Sequence, residues 1–263
     1  MGAEDRDITH VVEGRMTDPD EHLPGVRAAS PFRHGGSHAS SAPLVHIVLA
    51  SSSPRRRELL ARAGIRFAVV EPPADPSLPP GMCADLGCQL IAHQKAVAVA
   101  ARVEPGSFVV AADTVVVGPR GPLGKPGTPD VALRMLAELR GRRHTVLTGV
   151  CVLRTGTETE ALAVSRSLVK MRDFSDQELI TYVASGEPLD KAGAYGVQGG
   201  GGDLVEAVSG RVDTVVGLDV ALTLRLLAEA GFPDPLPRAT DIPLTPPRRE
   251  RRPLAPMRAA QRV

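Results

Sequence analysis

The sequence has no tryptophan, two tyrosines and five phenylalanines in 263 residues. So few rings leave little material for the aromatic stacking platform that single-stranded nucleic acid requires. Cysteine is equally scarce. Cys83, Cys88 and Cys151 cannot all pair, and Cys83 and Cys88 lack a second Cys pair or a nearby His to complete a zinc site. A reducing, cytoplasmic setting suits that pattern. No apolar run approaches the roughly 20 residues that span a bilayer, so no membrane association is expected. Charge of one sign is missing too. The 31 Lys plus Arg against 30 Asp plus Glu leave +1, so no global field favours nucleic acid, and no specific nucleic-acid partner is expected. Lysine itself is rare: Lys95, Lys125, Lys170 and Lys191 are the only ones, and arginine carries the remaining positive charge. A position that holds Lys in such a background suits a compact ammonium on a flexible stem.

What is present divides into three. Residues 1–43 open acidic and contain no apolar stretch of the kind a secretory signal needs, so they read as a disordered extension. Residues 233–263 are rich in proline and arginine and read as a disordered tail. Residues 44–232 carry the periodicity of one folded domain. There the pattern predicts a strand over 44–50, a helix over 54–63, a strand over 66–71 and a long Ala-rich helix over 85–103. A buried strand over 108–113 follows, with 114–123 turning back on it, then a helix over 128–141. Residues 144–174 read as a hairpin around "TGTETE". Ser175 and Glu178 form a capping box for a helix ending near 186. A strand over 203–208 and one closing helix complete an α/β fold with a mixed twisted sheet and flanking helices.

Four places could carry chemistry. In "LASSSPRRRELL" a strand runs through Ser51, Ser52 and Ser53 into a helix opened by Pro54. Arg55, Arg56 and Arg57 then occupy the first turn, where the helix dipole disfavours cations by about 0.3–1 kcal/mol each. Outward backbone N–H groups, hydroxyls and guanidinium forks together suit phosphate. The plainer alternative is a solvated basic helix face. Asp113 ends the apolar run "FVVAA", where α/β sheets place ligand chemistry, though a turn-forming Asp is the alternative. Lys125 sits in "LGKPG", which fails the Walker pattern because Pro119 and Pro126 occupy two of its required positions. Finally, "SGEPLDKAGAYGVQGGGGDL" mixes Glu187, Asp190, Lys191 and Gln198 with many glycines, as a ligand loop or a flexible surface loop would.

Taken in order, "LASSSPRRRELL", "AHQKA", "AADTVV", "GKP", "GRRHTVLTGV" and "EPLDKAGAYGVQG…TVVGL" resemble the Maf-type nucleoside triphosphate pyrophosphatases. The resemblance implies a fold similar to inosine triphosphatase, with a central nucleotide cleft. It implies hydrolysis of the α–β phosphate bond, giving a monophosphate and pyrophosphate with Mg²⁺ or Mn²⁺. By motif, Asp113 would be the proton acceptor and metal-linked carboxylate. Arg55 would bind phosphate and help select the substrate, Lys95 and Lys125 would hold the triphosphate, and Thr114 and Gln198 would help choose the base; Ser51, Ser53 and Arg56 of the serine–arginine turn are further substrate-binding candidates. The loop looks like that of the branch acting on dTTP and UTP, and an amide such as Gln198 both donates and accepts, as a pyrimidine edge requires. A homodimer is the assembly considered. One departure stands out: where the family shows an acidic pair after the second strand, this chain has Asp75 followed by Pro76. The other readings are a nucleotidyl transferase, which would need a glycine-rich first turn, and a nucleotide-sensing or division-regulating binding protein.

Overall fold

A computed structural model describes residues 46–73, 81–233 and 235–237. The expected N-terminal extension, residues 238–263 of the tail, and the Asp75–Pro76 departure lie outside the described residues.

Seven strands form one mixed sheet in the order β2-β1-β3-β5-β6-β7, with β4 pairing β3 beside this path. β1 (Ile47–Ala50) is buried throughout, which fits a parallel strand covered on both faces. It pairs in parallel with β2 (Ala68–Val70) and with β3 (Phe108–Gly118). β3 continues past Asp113 instead of ending there. Its register against β5 (Arg143–Arg154) runs unbroken from Phe108 to Val117, so β5 supports it along nearly its whole length. Asp113 therefore lies mid-strand. The expected hairpin is present, β5 leading to β6 (Glu160–Met171), and β7 (Val205–Ser209) adds the outer edge.

The other edge of β3 is interrupted. β1 pairs with it only as far as Ala50 opposite Ala111. Pairing resumes with β4 (Gly121–Leu123) at Val116. From Ala112 to Val115 no described strand lies beside β3 on that side. The gap exists because the chain leaves β1 at Ser51 and turns through Pro54 into α1 (Pro54–Arg62).

Helices cover both faces. On one face α2 (Ala84–Ala100) sets Ala92, Ala96 and Val99 against Val48, Val109, Ala111 and Cys151. On the other, α1 and α6 (Val220–Glu229) enclose Leu49, Val110 and Val150, and the same cluster takes in Phe232 and Leu236. The cluster thus reaches past residue 232, with Phe232 edge-on to Phe108 at 5.2 Å. Further along that face, α3 (Pro129–Leu139) and α4 (Asp176–Ala184) bury Leu136, Phe174 and Leu179 over Val116, Val146 and Val169. The Ser175–Glu178 capping box forms as expected. The single closing helix does not. Gly217, Leu218 and Asp219 divide it into α5 (Val212–Val216) and α6, and the Asp219 side chain caps α6 by accepting from the Leu222 N–H at 2.9 Å.

One small residue sets how close α2 lies to the sheet. Gly149 on β5 pairs with Asp113 across the strands. A Cβ at Gly149 would come within 2.5 Å of the Cys88 carbonyl oxygen, which is α2 backbone. Gly149→Ala should therefore push α2 outward. Overpacking of this kind costs about 1–3 kcal/mol, which lowers the melting temperature of a domain this size by roughly 2–10 °C. Calorimetry on the purified variant checks this, and an unchanged melting temperature would contradict the close-approach account.

Candidate active site

The gap in the β3 edge opens into a cleft of about 290 Å³. Every site residue expected from the sequence lines it: Ser51, Ser53, Arg55, Arg56, Lys95, Asp113, Thr114, Lys125 and Gln198.

The serine–arginine turn forms one wall. Ser51 is buried, and its Oγ accepts from the Ser53 N–H at 3.1 Å and from Arg56 Nη1 at 3.4 Å. Its hydroxyl therefore shapes the turn. Ser53 holds the N-cap position of α1 but makes no side-chain capping bond. Its hydroxyl lines the cleft instead, and the first-turn N–H groups of α1 are not capped by it. The three arginines separate as successive helical positions must. Arg57 turns away, donating to the Ser52 carbonyl at 2.9 Å with Glu71 at 3.7 Å. Arg56 bridges three groups: Gly217 O at 2.8 Å, Thr114 Oγ1 at 3.3 Å and Ser51 Oγ. Arg55 lines the cleft and acts on Asp190 by charge. Each cation at this unfavourable helix end thus meets an oxygen or a negative charge, which offsets the dipole penalty.

Behind Arg56 stands a buried polar chain that sequence reasoning did not find. Thr114 Oγ1 meets Thr148 Oγ1 at 3.0 Å, and Thr148 donates to the Thr214 carbonyl at 2.8 Å. Arg211 grips Asp213 through two bonds, at 2.9 and 2.6 Å, and contacts Asp219 at 3.1 Å. Asp213 also accepts from the N–H groups of Thr214 and Val220. A fully bonded network of this kind fixes one geometry. Here it fixes the 213–217 turn that presents the Gly217 carbonyl to Arg56. The available signal was polar residues at positions the strand alternation assigns to the interior.

The floor is the Lys95–Asp113 pair. α2 delivers Lys95, 6% exposed, to Asp113 Oδ1 at 2.8 Å. Asp113 keeps 16% of its side chain exposed, at the cleft surface. Lys125 approaches from the turn after β4. That turn is stitched to the 186–198 loop: Gly193 N–H donates to the Gly124 carbonyl at 3.1 Å, and Gly127 N–H to the Leu189 carbonyl at 3.3 Å. The glycine-rich segment is braced along its length, and so is not a flexible surface loop. It adds two charged lining residues, Asp190 and Lys191, paired at 2.8 Å. Burial alone would raise the Asp190 carboxyl, but the Lys191 hydrogen bond and charge, with the Arg55 charge, hold it below its ordinary value. Ala194 is the one non-glycine residue at positive φ, +61°, among the described residues. Such backbone strain persists only where the surroundings enforce it. They do so next door, where buried Tyr195 bonds His144 Nε2 at 2.7 Å.

Among the described lining residues, Arg55, Arg56, Lys95, Lys125 and Lys191 stand beside the carboxylates of Asp113 and Asp190. A polyanion is the ligand such a cleft suits. Among the described residues no three His, Cys, Asp or Glu side chains gather to hold a metal ion by themselves. Asp113 offers one hard carboxylate at the cleft surface, which fits a Mg²⁺ or Mn²⁺ ion arriving on phosphate oxygens.

A mixed α/β sheet open at one edge, with cations gathered around Asp113 beside a strand-to-helix turn, defines a polyphosphate-binding α/β protein. The chain belongs to the Maf family: the profile described as Maf-like protein matches residues 46–230. It is 47% identical over 196 residues to a dTTP/UTP pyrophosphatase of Anaeromyxobacter dehalogenans, covering 73% of this chain and 97% of that one. A dTTP/UTP pyrophosphatase of Myxococcus xanthus is 47% identical over 189 residues, 72% of this chain and 94% of its own length. Among solved structures, a nucleoside-triphosphatase / dITP/XTP pyrophosphatase from Mycobacterium abscessus aligns over 70% of this chain and 93% of that chain, at 16% identity and a TM-score of 0.37.

Burial holds the His144 imidazole down at about 4, from its ordinary 6.5. The folded state therefore binds this proton less readily than the unfolded chain. Stability from this group is complete above pH 6.5 and falls as pH drops through 6.5 towards 4, by up to about 3 kcal/mol. His144→Gln, which can still bond Tyr195 and does not titrate, should flatten that part of the profile. Melting curves from pH 4 to 7 compare the two, and equal slopes would contradict the assignment.

Proposed function

We propose that this protein hydrolyses nucleoside triphosphates between the α and β phosphates, releasing a nucleoside monophosphate and pyrophosphate, with dTTP and UTP preferred. The observation that carries the reading is the Lys95–Asp113 pair, placed at the gap in β3 opposite the N-terminal turn of α1. The curated relatives' names support the reaction and the two pyrimidine substrates.

The residues divide the work. The α1 turn, with Ser53 and Arg55, receives phosphate oxygens, and Lys95, Lys125 and Lys191 supply further positive charge along the triphosphate. Ser51 and Arg56 act mainly by holding that wall to the 213–217 turn. Lys95 fixes one oxygen of the Asp113 carboxylate, so the group has a defined orientation. Through its other oxygen Asp113 orients a water in line with the α-phosphorus and accepts its proton. The water oxygen bonds to the α-phosphorus as the bridge to the β-phosphate breaks, and pyrophosphate leaves with the bridging oxygen. A bound Mg²⁺ or Mn²⁺, held by Asp113 and phosphate oxygens, would neutralise charge on the phosphates. Gln198 and Thr114 face the base. The Thr114 hydroxyl is already engaged by Arg56 and Thr148, so Gln198 is the more adaptable of the two.

The reading carries a cytoplasmic setting, in keeping with three free cysteines and with no described helix long and apolar enough to cross a membrane. It also carries action on free nucleotides without a nucleic-acid partner, and assembly as a homodimer, which sedimentation of the purified protein checks.

Product analysis with dTTP and Mg²⁺ tests the reaction: monophosphate and pyrophosphate are expected, whereas diphosphate with inorganic phosphate would refute it. Asp113→Asn should lower kcat about 10²–10⁴-fold, the range for loss of a general base. It should also destabilise the fold, because the charge on Asp113 that Lys95 contacts at 2.8 Å is removed. Turnover is therefore compared per folded molecule. Arg55→Ala should instead raise KM together with a smaller loss of kcat. An Asp113→Asn enzyme within threefold of wild type would remove Asp113 from the reaction.

A further inference from the structure

We propose that Glu187, acting with Tyr182, is the positioning residue that fixes Gln198 in the cleft wall and so sets base selectivity; this rests on the reading of Gln198 as the base-facing amide. Glu187 opens the short helical turn Glu187–Asp190. Its carboxylate points into the glycine run. Oε2 accepts from the Gly200 N–H at 3.0 Å, and Oε1 accepts from the Gly201 N–H at 3.4 Å. Oε1 also receives the Tyr182 hydroxyl at 3.2 Å, and the same hydroxyl oxygen accepts from the Gly196 N–H at 3.3 Å. Gln198 lies midway, two residues from the Gly196 anchor and two from the Gly200 anchor. Both ends of the apex are thus tied to one Tyr–Glu frame.

The four glycines take their meaning from that frame. A Cβ at Gly201 would fall 2.6 Å from Tyr182 Oη and 2.5 Å from the Gly196 carbonyl oxygen. At Gly202 it would fall 2.7 Å from the Val197 carbonyl oxygen, and at Gly199 it would lie 3.0 Å from both Glu187 carboxylate oxygens. The chain folds back so closely on Tyr182 and Glu187 that a side chain has no room. Neither Tyr182 nor Glu187 lines the cleft, whereas Gln198, Val197, Gly196 and Tyr195 do. Glu187 therefore acts on the nucleotide through the loop. Lys191 bonds the Glu187 backbone carbonyl and the Asp190 carboxylate, so truncating the Glu187 side chain leaves those contacts in place.

The test uses the full chain and measures kcat and KM for dTTP and dATP, together with exchange of the Gly196, Gly200 and Gly201 amides by NMR. Glu187→Ala should speed exchange at Gly200 and Gly201. It should raise KM for dTTP about tenfold, with kcat within threefold and KM for dATP little changed. Gln198→Ala should lose the same selectivity without the change in exchange. The double variant should lose no more than either alone, as expected for two residues acting through one contact. Glu187→Gln, which keeps one acceptor oxygen, should fall between. If Glu187→Ala does not fold, Tyr182→Phe carries the same measurements, with faster exchange expected at Gly196. Unchanged selectivity in the Glu187 or Tyr182 variant, while Gln198→Ala loses it, overturns the positioning role. Unchanged selectivity in Gln198→Ala overturns the premise instead, and the two failures are told apart by which variant responds.

Discussion

The site depends on an interruption in one strand's pairing. β3 is supported along one edge by β5, while on the other edge β1 stops at Ala111 and β4 begins at Val116. Backbone polar groups at such an edge need partners or solvent, so the stretch from Ala112 to Val115 faces an opening and not another strand. Asp113 and Thr114 occupy that stretch. Successive strand residues project to opposite faces, so one reaches α2 and Lys95 while the other reaches Arg56 and Thr148. Only at an open edge do both border the same cleft.

Around that opening the structure balances rigidity against charge. Among the described residues, five cations and two carboxylates line the cleft in a close arrangement of charge. It is held by elements that do not depend on ligand. The Arg211–Asp213–Asp219 cluster secures the turn that takes Arg56, and Gly149 lets α2 come close enough to seat Lys95. The bonds from Gly193 and Gly127 tie the Lys125 turn to the glycine-rich loop. The cationic groups are thereby held in place for a polyanion, which is the electrostatic preorganisation that phosphate chemistry requires.

Much of this was legible in the sequence. The Ser–Arg turn, Asp113 after an apolar run and the rare lysines each drew attention by a local anomaly: cations at a helix N-terminus, a charge in a buried strand, Lys in an arginine background. Ser51, Ser53, Arg55, Arg56, Asp113, Lys95, Lys125 and Lys191 line the cleft, whereas Arg57 and Lys170 do not. The misses have a common cause, which is that pairing across long separations leaves no local trace. Asp113 looked like a strand end because the hydrophobic run stops there, yet β5 carries β3 five residues further, to Gly118. The closing helix looked continuous because its apolar periodicity runs through Gly217 and Asp219, and only the network around Arg211 shows why it breaks. The glycine run suggested either flexibility or a bare backbone for a ligand. Its actual constraint, room beside Tyr182 and Glu187, depends on residues 12 to 20 positions upstream.

The central claim is that a water placed by Asp113 attacks the α-phosphorus of a nucleoside triphosphate held in this cleft. Hydrolysis of dTTP in ¹⁸O-labelled water, followed by mass spectrometry of both products, tests it most directly. The account predicts one labelled oxygen in the monophosphate and none in the pyrophosphate. Label in the pyrophosphate would place the attack on the β-phosphorus and contradict the arrangement of Asp113, Lys95 and the α1 turn described above.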